Sequence, residues 1–194
     1  IKKIYDSLPR EKTAKITLGC VLLHLGDRRA EKIIMEAARE EMNNAVISSL
    51  LKGLGLVKSN AFVAALLELT KPKSDFLRDQ AEGMLANYND TRVVEYFHNL
   101  YASDNIGKIR LAVSVLSSFA HTNKRALDYV IEALCHERET ARETAGFECG
   151  QLTIREALPA LEKVLYDNSP YIKLNAAWAV LRIVAGSGNE PLTM

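Results

Sequence analysis

Apolar residues recur at three- and four-residue steps along most of the chain. The pattern is clear in the stretches RRAEKIIMEAAREE, NAFVAALLELT, TRVVEYFHNLY, KRALDYVIEALCHE and REALPALEKVLYD. This spacing places the apolar side chains on one face of an α-helix, and no segment sustains the period-two alternation of a half-buried strand. The pattern therefore predicts an all-α protein.

A second kind of segment alternates with these stretches and repeats along the chain. Its copies read AKITLGCVLLHL, VISSLLKGLGLV, LRDQAEGMLANY, IRLAVSVLSSFA, ARETAGFECGQL and IKLNAAWAVLRI. They start at residues 14, 46, 77, 109, 141 and 172, which are 31 or 32 residues apart. A near-constant period of this length is typical of stacked supersecondary units. We therefore predict an α-solenoid of about six helix-turn-helix repeats.

The predicted solenoid is a single array over residues 1–186, followed by a flexible tail over residues 187–194. Its second helices are expected near residues 14–25, 46–57, 77–88, 109–120, 141–152 and 172–184. Three helix-start signals support these boundaries: capping boxes at Thr140 with Glu143 and at Thr153 with Glu156, and Ser169 followed by Pro170.

The repeated segment also keeps its residue types. Its second position is basic in five of six copies, the fifth is apolar in all six, and the sixth is often small. Segments of this form resemble HEAT-type repeats, and the short period is similar to the phycobiliprotein-lyase (PBS) subtype. The resemblance implies a right-handed superhelix. Proteins of this kind include scaffolds, chromophore-lyase subunits, transport receptors, a metal-dependent hydroxylase and DNA glycosylases, so the fold alone does not choose a function.

The basic position forms a column along the predicted array. Its members are Lys15, Arg78, Arg110, Arg142 and Lys173. One interpretation is a structural ladder in which each cation meets a carboxylate of a neighbouring turn, with Asp75, Asp104 and Asp167 as candidates. The other is a stripe that binds phosphates or an acidic peptide. The family resemblance favours the structural ladder.

A His-Glu pair at His136 and Glu137 raises the question of a metal site. The hydroxylase of this superfamily is similar to an array whose His-Glu dyads follow the basic position of the second helix, and no His occupies those positions here. His136 instead aligns with Asp104 and Asp167 in the turn before that helix. A metal site needs several converging ligands. We therefore predict no metal, no cofactor and no catalytic residues.

Small residues mark the fifth second helix. Ala145, Gly146, Cys149 and Gly150 stand where a helix normally places large core residues. Glycine inside a helix costs roughly 0.5–1 kcal/mol relative to Ala. Close packing between stacked helices is the expected compensation.

The seventh position of the segment is expected on the inner, concave wall of the array. In the last three copies it becomes apolar or aromatic, and apolar residues at the third position adjoin it. Aromatic anchors dominate binding energy at many interfaces. The predicted partner-binding set is Leu111, Val115, Phe147, Leu174, Trp178 and Arg182. The alternative is that another helix of the same protein covers these side chains.

Composition limits the classes of binding partner and the cellular compartment that we expect. The chain carries 25 Lys and Arg against 24 Asp and Glu, so no bulk charge favours nucleic acid or anionic membrane. Its three cysteines are scattered and no apolar run is long enough to span a bilayer. A reducing, cytoplasmic compartment is expected.

These observations together predict a non-enzymatic scaffold that binds another protein through the concave face of its C-terminal repeats. An accessory or lyase-like subunit that holds a prosthetic group or substrate in the same groove is the alternative, and nucleic-acid binding through the basic column is the third. The last segment, IKLNAAWAVLRIV, is apolar on most sides. Something is therefore expected to cover it, either further repeats, a second copy or a partner.

Overall fold

The computed structural model describes residues 18–19, 21–22, 25, 27, 61–71 and 75–186. Most of the first two repeated segments, Lys15 of the basic column and the predicted tail 187–194 lie outside these residues. Within the described ranges the secondary structure is entirely helical, with no strand. The predicted fold class, an all-α array of helical hairpins, is confirmed.

Eight α-helices are defined in the described residues. They are α1 (Ala61–Leu69), α2 (Asp75–Leu85), α3 (Thr91–Asn99), α4 (Ile106–Phe119), α5 (Lys124–Leu134), α6 (Glu139–Gln151), α7 (Leu158–Val164) and α8 (Pro170–Ala185). Short 3-10 turns at Leu100–Ala102 and Arg155–Ala157 follow α3 and precede α7. The last four repeated segments coincide with α2, α4, α6 and α8, apart from one to three residues that follow the first three of these helices.

The chain divides into two compact units, Ile1–Val93 and Val94–Met194. In the described part of the first, α1 packs against α2. Phe62, Leu66 and Leu85 are fully buried there. These residues follow the predicted three- and four-residue spacing, so both helices bury the face that the sequence pattern indicates.

The C-terminal unit, Val94–Met194, is built from two rows of helices. The second helices α4, α6 and α8 pack side by side, and α5 and α7 form the neighbouring row. Ile109, Leu116, Leu134 and Leu161 are among the side chains buried between the rows. This packing fixes α6 and α8 next to one another and so positions the candidate site.

Side-chain caps begin α4 and α5. The Asn105 side chain accepts from the Lys108 backbone N–H, and the Asn123 side chain accepts from the N–H groups of Arg125 and Ala126. Each satisfies backbone donors that the first turn of a helix leaves open.

The two predicted capping boxes are wrong. Helix α6 begins at Glu139 with Arg138 as its N-cap, so Thr140 lies inside the first turn. Thr153 has a left-handed backbone with φ 52°, because it terminates α6 and does not start α7. The Ile154 N–H donates to the Cys149 carbonyl at 3.0 Å across this terminus. Thr153 thus holds a position that glycine usually occupies.

Within the described residues, no helix combines the length and apolar character needed to cross a membrane. Cytoplasmic localisation stays a prediction.

Candidate functional site

An aromatic stack joins α6 and α8 at the surface. The rings of Phe147 and Trp178 lie 5.5 Å apart, centroid to centroid, and are nearly parallel at 9°. Phe147 is 44% exposed and Trp178 is partly exposed. Offset stacking of this kind contributes about 0.5–1.5 kcal/mol beyond the burial of area. The two stacked rings therefore form a rigid aromatic surface that is exposed to solvent.

Arg182 extends the stack along α8. Its guanidinium carbon lies 5.2 Å from the centre of the Trp178 ring, a cation–π arrangement. Phe147, Trp178 and Arg182 form one continuous surface, which we call the aromatic ladder. Leu174, one helical turn before Trp178, adjoins it and is 65% exposed.

The indole of Trp178 packs closely against Gly150 of α6. A Cβ added at Gly150 would lie 2.5 Å from Cζ3 of Trp178 and 2.8 Å from the Cα of Ala179. A Cβ at Gly146 would make only ordinary contacts, the nearest at 3.7 Å to the Asn175 Cβ. Close approach therefore depends on Gly150 and not on Gly146, which the sequence pattern did not distinguish.

Two members of the predicted partner-binding set stand apart from the ladder. Val115 is only 6% exposed, so its assignment to a binding surface is wrong. Its short side chain ends within the helix packing, whereas the longer rings of Phe147 and Trp178 reach the surface. Leu111 is half-buried on α4.

Members of the basic column form ion pairs with carboxylates within the described residues. Arg142 makes the strongest contact, with Nε 2.6 Å and Nη2 3.3 Å from the two oxygens of Asp167. Its Nη1 donates to the carbonyls of His136 and Glu137 at 2.8 Å each. The Arg142 hydrogen bonds hold the pKa of Asp167 below its usual value. This geometry is that of a structural ladder.

Other members of the column make weaker contacts. Arg78 pairs with Asp75 at 3.0 Å one turn earlier on the same helix, and Arg110 lies 3.6 Å from Glu143. Lys173 is exposed and has no ion pair with any residue that the structure describes. Asp104, a predicted acceptor of the column, instead accepts from Arg138 at 2.8 Å.

His136 lies in the turn between α5 and α6, as its alignment with turn aspartates predicts. Its Nδ1 accepts from the Arg138 backbone N–H at 3.1 Å, and its ring meets Tyr101 edge to face at 5.7 Å. His136 thus accepts a backbone N–H in the turn before α6, as Asp167 does from the Ser169 N–H in the turn before α8.

A polar cleft of about 450 Å³ opens beside this turn. Its lining residues are His98, Asn99, Tyr101, Glu132, His136, Glu137 and Arg138. The His98 ring stacks on Tyr129 at 3.6 Å, and its Nε2 lies 3.3 Å from a Glu132 oxygen. Sequence reasoning missed this cleft because His98 and His136 come from different repeat positions.

Metal-binding side chains do not converge in the described part of the chain, where no group of three His, Cys, Asp or Glu residues could hold an ion. The prediction that the protein uses no metal or cofactor stays a prediction.

Cys149 is buried in α6. Burial and, as a smaller contribution, the nearby charge of Glu148 raise the pKa of its thiol to about 12. The thiol is therefore protonated at neutral pH and packs as a small apolar group.

Stacked helical hairpins and an exposed aromatic face define the chain as an α-helical repeat protein. No family model matches the sequence, and no curated protein matches it either.

Three solved structures are similar in fold. Human deoxyhypusine hydroxylase in complex with glycerol is 12% identical, covers 91% of this chain and 81% of its own, and has a TM-score of 0.48. One engineered protein is 16% identical over 90% of this chain and 80% of its own, with a TM-score of 0.46. Another is 16% identical over 95% and 98%, with a TM-score of 0.44.

The prediction that the chain is not an enzyme is corrected by this comparison. One protein of similar fold is a hydroxylase, so a helical-repeat architecture does not count against enzymatic activity, and the prediction is withdrawn. At 12% identity the likeness concerns the fold, and it assigns neither a reaction nor reacting residues to this chain.

Proposed function

We propose that the protein binds another protein through the aromatic ladder, with Leu174 as an adjoining apolar contact. The observation that carries the proposal is the exposed stack of Phe147 on Trp178 with Arg182 over the same indole. Aromatic and arginine side chains on rigid elements are the residues that most often dominate binding energy. The proposal includes the PBS-like HEAT subtype and a cytoplasmic setting.

The chemistry of the ladder indicates the kind of segment that it fits. The two rings offer a flat apolar surface, and Arg182 offers a cation that has no carboxylate partner among the described residues. A partner segment with an apolar or aromatic side chain next to a carboxylate would match both features. Nearby Arg142 is already bound to Asp167 and is not available.

An affinity capture from native lysate tests this proposal. Trp178→Ala is a poor test variant, because the indole packs against Gly150 and its removal leaves a void. The better variant combines Phe147→Ala with Arg182→Ala, since both side chains are exposed. We expect it to keep its helical circular dichroism and to lose the protein that the wild type retains.

The matched control is Tyr166→Ala, which removes an 86% exposed aromatic residue away from the ladder. We expect the control to retain the partner. Retention by the Phe147→Ala/Arg182→Ala variant at the wild-type level would refute the assignment of the binding face.

A second candidate function is the binding of a small polar ligand in the cleft beside His136. Its volume of about 450 Å³ lies within the range of ligand pockets, and two imidazoles, a guanidinium and carboxylates line it. A small-molecule fragment screen followed by imidazole NMR tests it. Shifts at His98 and His136 that vanish in Glu132→Gln would support the site, and no shifts with any fragment would exclude it.

A further inference from the structure

Helices α6 and α8 run side by side in the same direction. A Cβ at Gly146 of α6 would lie nearest Asn175 of α8. One turn later, a Cβ at Gly150 would lie nearest Trp178 and Ala179. Because the residue numbers rise together along both helices, the first turn of α6 lies beside the first turn of α8. We call the surface along this contact the α6–α8 groove.

A small cavity of about 230 Å³ lies at the start of the α6–α8 groove. Its lining residues are Glu139 and Glu143 from α6, the N-cap Ser169, and Tyr171 and Ile172 from α8. The volume is below the roughly 300–1,000 Å³ of pockets that bind small molecules. The cavity therefore has room for a single side chain of a partner.

The polar groups of this cavity are suited to a cation. Glu139 forms no ion pair with any residue that the structure describes, and Glu143 is paired only with Arg110, at 3.6 Å. The Ser169 hydroxyl makes no capping hydrogen bond to α8, and Tyr171 is 74% exposed. Two carboxylates beside an exposed aromatic ring match the charged group of a lysine or arginine side chain.

Apolar surface connects this cavity to the aromatic ladder. On α8, Tyr171, Leu174 and Trp178 follow steps of three and four and so lie on one side of the helix. Leu174, between the two rings, is 65% exposed. Beyond Trp178, Arg182 has no carboxylate partner among the described residues. The groove is therefore acidic at its first end, apolar in the middle and basic at its other end.

We propose that the α6–α8 groove binds an extended segment of the partner whose side chains are basic, apolar and acidic in that order along the groove. This inference rests on the proposed function. The basic side chain enters the cavity, the apolar one packs on the aromatic ladder, and the acidic one pairs with Arg182. Glu139 and Phe147 lie about 12 Å apart along the axis of α6, at about 1.5 Å per residue. An extended chain covers this distance in about three or four residues.

The opposite charges at the two ends of the groove select the kind of partner. A nucleic-acid backbone or a wholly acidic peptide would place negative charge against Glu139 and Glu143. A wholly basic peptide would place positive charge against Arg182. A segment with one charge of each sign, separated by an apolar residue, complements both ends.

Selection from a phage-displayed library of random peptides, with the full chain as the immobilised target, tests the proposal. Peptides that also bind the Phe147→Ala/Arg182→Ala variant are removed first. We expect the remaining peptides to share a lysine or arginine about three or four residues from an apolar or aromatic residue. An acidic residue should lie on the opposite side of that apolar residue.

A double-mutant cycle with one selected peptide then assigns its basic residue to the cavity. We expect Glu139→Gln/Glu143→Gln to weaken binding of the peptide by about fivefold or more, as measured by fluorescence anisotropy. Replacing the basic residue of the peptide by alanine should weaken binding to the wild type equally, and should have no further effect on binding to the glutamine variant. The control Glu156→Gln/Glu162→Gln removes the same charge from exposed sites outside α6 and α8 and should leave the affinity unchanged.

The outcomes separate this inference from the proposed function. Selected peptides that need Phe147 and Arg182 but carry no basic residue would overturn the charge order and leave the proposed function in place. Independent effects of the protein and peptide substitutions would do the same. A selection that yields no peptide sensitive to Phe147→Ala/Arg182→Ala would overturn both. Circular dichroism of each variant shows whether the fold is kept.

Discussion

At the scale of single residues, two glycines of α6 have different roles. Gly150 has no room for a Cβ, whereas Gly146 does. We expect Gly150→Ala to destabilise the protein by about 1–3 kcal/mol, because the added methyl group must displace Trp178 and the α8 backbone. Chemical denaturation measures this difference in the free energy of unfolding.

Gly146→Ala is the matched substitution four residues earlier. We expect it to be neutral or to stabilise by up to about 1 kcal/mol, because alanine favours the helix and its methyl group makes ordinary contacts. Equal effects of the two substitutions on the free energy of unfolding would show that the indole does not pack closely against Gly150.

Thr153 carries backbone strain at the end of α6. Its φ of 52° is unfavourable for a β-branched residue. We expect Thr153→Gly to raise the thermal midpoint by relieving about 1 kcal/mol, while Thr153→Val should not raise it. A lower midpoint for the glycine variant would mean that the Thr153 side chain stabilises the fold by its contacts.

At this scale, the sequence showed which residues are small enough for close packing, but not the distances between them and the next helix. The small residues of ETARETAGFECGQL indicated close packing, yet only the coordinates separate Gly150 from Gly146. The seventh position of the repeat led to Phe147, which is exposed, and also to Val115, which is buried. Periodicity gives the direction of a side chain, and its length decides whether it reaches the surface.

At the scale of elements, the Arg142–Asp167 pair ties α6 to the turn before α8. Both side chains are largely buried, and Arg142 also holds two carbonyls of the preceding turn. We expect Asp167→Asn to lower the free energy of unfolding by roughly 3 kcal/mol at neutral pH, because it leaves a largely buried guanidinium without its counter-charge. Urea denaturation measures the cost.

The pH dependence of this cost has a definite sign. The pKa of Asp167 is lowered in the folded protein, chiefly by the hydrogen bonds from Arg142. Its stabilisation is therefore fully present above the unfolded-state pKa of about 3.9 and is lost as the pH falls through the folded-state pKa. The difference between wild type and Asp167→Asn should shrink in acid. A difference that is constant with pH would contradict the pairing.

The helices themselves were largely predictable. The apolar spacing and the repeat period place second helices where α2, α4, α6 and α8 lie. Helix starts were less predictable, since the side chains of His136 and Arg142 bind backbone groups of the turn before α6, and Thr140 lies inside the helix and does not cap it. A capping motif and a nearby side chain can bind the backbone groups of the same turn, and the sequence alone does not show which of them does so.

At the scale of the whole molecule, the described residues form two compact units, each with its own helical core. The aromatic ladder belongs to the C-terminal unit. Phe147 and Arg182 variants should therefore affect partner binding and leave the helical core of this unit folded. Affinity capture and circular dichroism of these variants check this expectation.

The protein contains one tryptophan, and Trp178 lies at the centre of the proposed binding face. Its fluorescence therefore reports on that face without labelling. The most direct test of the proposed binding face is acrylamide quenching of Trp178 with and without the captured partner. The partner must be free of tryptophan or labelled with a non-emitting analogue. We predict that partner binding lowers the quenching constant and shifts the emission to shorter wavelength. If quenching and emission stay unchanged at a saturating concentration of the partner, the partner does not bind at Trp178 and the proposed binding face is wrong.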